Sequence, residues 1–486
     1  MLNEKYDVVI VGAGAAGLMA AVTAKRKGLK VLVLEKGAAV GGNAVCAGTI
    51  FSTALKDWGD YDNDKDNVNA LYAAIMKELH YLGNPRLIRR YISRAKDVAR
   101  YFEETGLPWV HLSGGGFGFP GSINVEYFEG TVSLGAFLVR EMKKDCEKLG
   151  VEIITKARGK ALIQDEKGKV IGITAEIDGT DTDISADTVI LSCGGVAGSP
   201  ESIGKYLPRV QQPGDEIRPA GVPYCVGDGI EMCEAIGAET RKNMNIHLLP
   251  PWFGGHEFTR EGLIFEDARA LYLRKDGRRL MNEEVGFRDI MDVTNAAPGK
   301  VVYAIFDANA FKALWEETSD VNNLPPWVMK FADRINFNAK LENLEKDYAA
   351  DFRHGAIYKA ETLEDAAAFM GADAAILKAT VDEYNRAVET GIDEYMGKSA
   401  EKLVFPVKDG PFYVLKGVRQ VDSTQGGITV NEFLQPLTPE GKAISGVYVC
   451  GDHVTGFAAE NYYGPGGAGL TFALVSGMMA AEQAAE

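Results

Sequence analysis

Cysteine is scarce in this chain, six in 486 residues, and no two of the six stand in a CxxC or CxxCH spacing. That excludes an attached c-type haem and leaves no ligand pattern for an iron–sulfur cluster or a zinc site, so no metal is expected. Scattered Cys46, Cys146, Cys193, Cys225, Cys233 and Cys450 read as reduced thiols of a cytoplasmic protein. Basic residues are outnumbered, 52 against 68 acidic ones, and the net charge of -16 excludes the basic face that a nucleic-acid partner requires. Long apolar runs are missing too. Nothing approaches the ~20 residues of a membrane span. The opening MLNEKYDVVIVGAG has neither a basic leader nor a long enough apolar stretch for a signal peptide. What is present is ordinary globular composition, 46% hydrophobic and 25% charged, in a chain too long for one core.

The first 35 residues are the most informative. Tyr6–Val11 is a run of β-branched residues, the pattern of a buried parallel strand. Gly12-Ala-Gly14-Ala-Ala-Gly17 follows at once, and Leu18–Lys27 then has helical character, ended by Gly28. Lys30–Leu34 is a second strand that closes on Glu35. A GxGxxG between a strand and a helix, with an acid at the end of the next strand, is a dinucleotide-binding fingerprint. Gly12 permits the tight turn, Gly14 clears the way for a pyrophosphate, and Gly17 lets helix and strand approach. The helix N-terminus offers free N–H groups to phosphate, and Glu35 would accept hydrogen bonds from ribose hydroxyls.

Two further features select FAD over NAD. Residues 36–48, KGAAVGGNAVCAG, place a second glycine pair just after the ribose carboxylate, where backbone can approach a longer cofactor. At the far end, Gly451-Asp452 follows the buried run Gly446–Cys450 and could bind ribityl hydroxyls. The last helix, from about Gly469 to Ala485, begins beside Gly466 and Gly467, where its N-terminus could stabilise negative charge on a reduced ring. The cofactor-binding set is therefore Gly12, Gly14, Ala15, Gly17, Glu35, Lys36, Gly42, Asn43, Ala44, Gly48, Gly194, Asp228, Gly451, Asp452, Gly467, Gly469 and Leu470.

Between these ends, residues 151–191 alternate like hairpin strands, and Asp187–Ser192 returns to a continuous apolar run that should rejoin the parallel sheet. From about Arg241 the chain turns aromatic-rich and proline-punctuated, and 361–392 shows two helices. The expected fold is α/β, a Rossmann-like FAD-binding domain with an inserted α+β cap. The domains are 1–240 and 422–486 for the cofactor and 241–421 for the cap.

The run through Gly41-Gly42-Asn43-Ala44, then Gly227-Asp228-Gly229-Ile230, Arg278–Glu283, Thr424–Gly427 and Gly446–Thr455, in that order, resembles the flavoprotein family of fumarate reductases and succinate dehydrogenases. It is nearest to the soluble flavocytochrome-type fumarate reductases, urocanate reductases and 3-ketosteroid dehydrogenases. The resemblance implies a substrate between cap and flavin, hydride from flavin N5 to an alkene carbon, and a proton from an arginine reloaded by a Glu–Arg relay. Arg288, in Arg288-Asp289, matches that arginine, and Glu266 and Arg269 match the relay.

The family's dicarboxylate ligands are not matched. Tyr462 stands where a clamp arginine is usual, Asp422-Ser423 where a histidine is usual, and Phe265 where a threonine is usual. Two carboxylates need cationic partners to be desolvated, so fumarate itself is not the expected substrate. Tyr462–Gly466 is similar instead to the ketone-anchoring segment of the 3-ketosteroid dehydrogenases, with Tyr462 and Gly466 as an oxyanion-type pair. That family's catalytic cap tyrosine falls near Phe287, which has no hydroxyl. The expectation is an ene- or enoate reductase with catalytic Arg288, Glu266, Arg269 and Tyr462, and with His247, Phe265, Phe287 and Gly466 at the substrate. The alternatives are a 3-ketosteroid-type oxidation and a non-catalytic electron-transfer flavoprotein. The flavin histidine of the membrane-complex members is not seen in Val45–Ser52, so the FAD is expected to be non-covalent. Electrons would come from NAD(P)H, free reduced flavin or a separate redox protein.

Overall fold

The structure is a computed structural model. It describes residues 5–53, 64–106, 110–112, 122–126, 128–129, 132–212, 215–242, 244–249, 260–265, 267–284, 287–320, 336–458 and 466–486. The chain divides into two compact units: residues 1–209, 221–247 and 422–486 form the first, and 210–220 with 248–421 the second.

The first unit is built on a seven-stranded sheet among the described residues. Strand β1 (Tyr6–Val11) lies at its centre, parallel to β2 (Val31–Glu35) on one side and to the end of Thr180–Leu191 on the other. Helix α1 (Ala15–Arg26) makes the crossover. The strand Glu152–Thr155 extends the parallel part beyond β2, and Val447–Val449 adds to Thr180–Leu191.

Thr180–Leu191 serves two partners in turn. Its first half pairs antiparallel with Val170–Ile177, and its second half pairs parallel with β1. The burial pattern follows this division. Residues 180–187 mix exposed and buried side chains, and Val189, Ile190 and Leu191 are fully buried. A strand with one wet face alternates, whereas one covered on both faces becomes uniformly apolar. The sequence's change of texture near Asp187 reports that change of environment.

The second unit has a sheet around Phe412–Gln425. Val301–Phe306 and Ile357–Ala360 pair antiparallel with it, and Ile217–Pro219 pairs parallel with it. Val301–Phe306 is buried at every position because its two faces feed two cores. Val301, Tyr303 and Ile305 pack with Leu377, Val381 and Tyr384 of the helix Ala374–Thr390. Val302, Ala304 and Phe306 pack with Phe311, Leu314 and Trp315 of the helix Ala308–Glu317. This helix/sheet/helix layering confirms the α+β class expected for the cap. Its helices have conventional caps at both ends. Asp307 accepts from Ala310 N, Thr362 and Asp365 form a capping box, and Gly371 and Gly391 end their helices in the left-handed region.

Candidate cofactor site

The turn between β1 and α1 is closed by contacts that only glycine permits. Gly12 has φ +102, and a β-carbon on it would stand 2.5 Å from the Ser192 carbonyl oxygen. A β-carbon on Gly17 would stand 1.9 Å from the Gly12 oxygen. Gly14 differs. The nearest atom to its missing β-carbon is the Gly41 oxygen at 3.8 Å, an ordinary contact. Among the described residues nothing forbids a side chain at Gly14, so its absence keeps open the space before α1. No side chain caps this helix and its first turn carries no acid. Ala15 is its first residue, and its leading N–H groups therefore face that opening with their positive potential intact. This cradle fits a pyrophosphate.

The side walls are equally specific. Glu35 accepts from Ala13 N at 2.8 Å and from Gly37 N at 2.6 Å, which fixes its carboxylate at the end of β2. Beside it, Asp228 holds both Lys36 and Arg158 at 2.8 Å, leaving one net positive charge there. Asp228 is the first residue of the helix Asp228–Ala235. The second glycine pair comes back to the first: Gly41 N donates to Ala13 O at 2.8 Å, and Gly14 and Gly41 form a parallel bridge. Gly42 and Asn43 open the short 3-10 turn Gly42–Cys46. Ala44 lies in the same turn, and its carbonyl would be 1.7 Å from any β-carbon on Gly135. Gly48 leads from this turn into the strand Thr49–Thr53.

The late segments complete the cradle. Gly451 N donates to Ser476 Oγ, and the Asp452 carbonyl accepts from Gly426 N. Gly467 caps the helix Ala468–Ala484 with φ +81, and a β-carbon there would strike Thr49 O at 2.5 Å. Gly469 and Leu470 lie in the first turn of that helix, Gly469 near the Gln425 amide and Leu470 buried, and buried Gly466 immediately precedes the cap. Gly194, at φ +73, follows Thr180–Leu191 and faces Cys225 Sγ. His453 is fully buried with Nε2 3.0 Å from Leu191 O, and burial pushes its pKa down to about 4.

The sequence reading missed the segment 221–226. Val222 N donates to Asn43 Oδ1 at 2.7 Å, and Asn43 Nδ2 donates to Asp422 O at 2.9 Å. Gly198 N donates to Cys225 O, and Tyr224 lies against Gly37. The only sequence signal was its position, directly before the Gly227-Asp228-Gly229 run.

In the second unit, Arg288 is the second residue of the helix Phe287–Ala296. Its side chain and that of Phe287, together with Glu266, Tyr462 and the side chain of His247 in the strand Asn245–Leu249, lie outside the described residues. Arg269 is described. It pairs with Asp267 and with Glu317, each through two hydrogen bonds, and these carboxylates raise its pKa and hold it firmly cationic. Phe265 is buried in the core and stacked on Tyr272, with ring centroids 5.4 Å apart.

The same unit holds a buried charge quartet that the sequence did not announce. Arg279 pairs with Glu283 and Asp393 at 2.8 Å each, and Lys398 Nζ lies 3.3 Å from Glu283. All four side chains are at most 6% exposed. Lys398 also donates to Ala270 O and Tyr384 OH. Burial lowers the Lys398 pKa, and Glu283 opposes that shift. Two cations and two anions make the cluster neutral, which is what allows it to be dry.

Comparison with known proteins points to the same cofactor class. The chain is 28% identical over its whole length to the NADH:acrylate oxidoreductase of Vibrio harveyi, and it spans about half (51%) of that protein. It is 25% identical to the vinyl phenol reductase of Lactiplantibacillus plantarum, covering 100% of this chain and 97% of the relative. A flavocytochrome c3 fumarate reductase in its open conformation shares the fold, with TM-score 0.74 and 22% identity over 99% of this chain and 78% of that one. The family model described as "FAD binding domain" matches residues 7–470, and the chain belongs to that family.

Proposed function

We propose that this protein is an FAD-dependent ene- or enoate reductase whose substrate is an alkene conjugated to a single carbonyl or carboxylate. The observation that carries this reading is the replacement of the family's dicarboxylate ligands by Tyr462, Phe265 and Asp422-Ser423. The relative named for acrylate, whose alkene is conjugated to one carboxylate, supports it, and the relative named for vinyl phenol, which carries no carboxylate, supports only the lack of a dicarboxylate clamp. Bound FAD, held without a covalent link, supplies hydride for the β-carbon. Gly12, Gly14, Ala15, Gly17, Gly42 and Ala44 would receive its pyrophosphate, Glu35 its ribose, and Asp452 its ribityl chain. Gly467, Gly469 and Leu470 would present the final helix to the ring.

The chain's own residues supply the rest. The Tyr462 hydroxyl and the Gly466 N–H hold the carbonyl oxygen, which draws electron density from the alkene. Arg288 gives a proton to the α-carbon and Glu266 returns one, while Arg269, held cationic by Asp267 and Glu317, contributes its positive charge to the relay. A guanidinium is a weak acid, with a pKa above about 12, so it serves only where the acceptor is a strongly basic carbanion-like centre. His247 and Phe287 border the substrate, whereas Phe265 is a buried core residue stacked on Tyr272. The reducing electrons would come from NAD(P)H, free reduced flavin or a separate redox protein, in the cytoplasm.

The test is a panel of enoates and enones added to chemically reduced enzyme, with return of the oxidised flavin absorbance as the signal. Monocarboxylate or enone acceptors reoxidise the wild type, fumarate does not, and Arg288→Ala slows the reaction by roughly 10²–10⁴-fold. The Tyr462–Gly466 run favours one second reading, oxidation of a saturated 3-ketosteroid. Bleaching of oxidised enzyme by such a ketone, with no enoate turnover, would select it.

A further inference from the structure

We propose that Tyr224 is the stacking wall for the adenine of FAD. Glu35 fixes where the ribose goes, because both of its oxygens are already oriented by Ala13 N and Gly37 N. The base must extend past that carboxylate, and Tyr224 stands at this place. Carbons of its ring lie 3.1 and 3.2 Å from where a Gly37 β-carbon would be, and Glu35 Oε1 lies 3.0 Å from the same point. Gly37 has no left-handed φ, so its backbone does not require glycine. Any larger residue would instead push away the ring or the carboxylate.

The ring is also held in place and open. The segment carrying it is tied by Val222 N to Asn43, by Cys225 N to Val222 O, by Val226 N to Tyr224 O and by Gly198 N to Cys225 O. A β-carbon on Gly198 would fall 2.6 Å from Val222 O, so the segment packs directly on the Gly198 backbone. Yet Tyr224 itself is 48% exposed. The neighbouring cations do not compete for the base, since Asp228 holds Lys36 and Arg158. An aromatic ring on a tethered segment, half open and adjoining a ribose carboxylate, offers a surface on which a purine stacks.

The test uses apo-protein titrated with FAD, followed by flavin fluorescence quenching, for the wild type, Tyr224→Phe and Tyr224→Ala. The alanine variant should bind FAD about tenfold more weakly, the effect of losing one base–aromatic stack, and phenylalanine should stay within about twofold. FAD carrying fluorescent ethenoadenine gives a second readout: its base emission should be quenched on wild type and recover on Tyr224→Ala. Because Tyr224 is half exposed, alanine leaves the core intact, and the phenylalanine variant guards against a folding artefact. The proposal is overturned if alanine binds FAD as tightly as wild type, if phenylalanine is as weak as alanine, or if ethenoadenine emission is the same on all three proteins.

Discussion

Gly17 and Gly12 meet so closely that a single added carbon on the first would stand 1.9 Å from the carbonyl oxygen of the second. Gly14, between them, has 3.8 Å to its nearest neighbour. The three glycines of one motif therefore answer to two different demands, and substitution separates them. Gly17→Ala should destabilise the apo-protein by about 1–3 kcal/mol or more, because backbone on both sides must move. Gly14→Ala should change apo stability by less than about 1 kcal/mol, since its φ of -73 suits alanine. It should nonetheless abolish FAD retention. Denaturant unfolding of the apo-proteins and flavin content after gel filtration check both halves, and an FAD-replete Gly14→Ala protein would refute the pyrophosphate assignment.

Removing one charge from the buried quartet should be severe. Lys398→Met leaves Glu283 and Asp393 facing Arg279 alone, with the Ala270 carbonyl also losing its donor. Unfolding free energy should fall by about 3–5 kcal/mol, and adding Glu283→Gln should restore part of it by removing the surplus anion. Equal stability of the single and double variants would show that the four charges are not coupled.

His453 should make stability pH-dependent in acid. Its pKa falls from 6.5 to about 4 on burial, so the unfolded chain takes up a proton between those values and the native protein does not. The stabilisation is present above the unfolded value and is lost as pH falls from 6.5 towards 4, by up to about 3 kcal/mol. Urea midpoints at pH 7.5 and 5 should differ less for His453→Asn than for the wild type. Parallel pH profiles for the two proteins would assign the acid sensitivity to other groups.

Asn43 uses both ends of its amide, one towards Val222 and one towards Asp422. Asn43→Ala should free the 221–226 segment and weaken FAD binding about tenfold, the effect of one lost buried polar tie. Asn43→Asp keeps the acceptor for Val222 N and should fall between. FAD titration of the apo-proteins measures the series.

What the sequence made legible was local or periodic. The strand–glycine–helix–strand–acid order needs only 35 consecutive residues, and each part constrains its neighbour through backbone geometry. The observed elements, Tyr6–Val11, Ala15–Arg26 and Val31–Glu35, fall within a few residues of those expected. The change of texture near Asp187 was legible because burial on two faces writes itself into composition. The quartet was not legible. Arg279 and Glu283 share one motif, but Asp393 and Lys398 lie more than a hundred residues on, in a stretch with no pattern of its own. Arg269 was readable as a charged residue of interest, and Asp267 lay two residues away in plain view. Its other carboxylate, Glu317, is 48 residues distant and joins it only through folding. Tyr224 was overlooked for a similar reason, since an isolated tyrosine in a loop has no periodicity and only its contact with Gly37 gives it meaning.

The last described helix, Ala468–Ala484, packs on α1, and a β-carbon on Gly477 would lie 2.1 Å from the Ala16 oxygen. During synthesis the ribosome delivers α1 hundreds of residues before that partner emerges. The nascent β1–α1 segment must therefore wait, with an apolar helix face uncovered, until the helix Ala468–Ala484 has been made. Until that long-range partner arrives, α1 is the part of this sheet's cover most dependent on chaperone shelter.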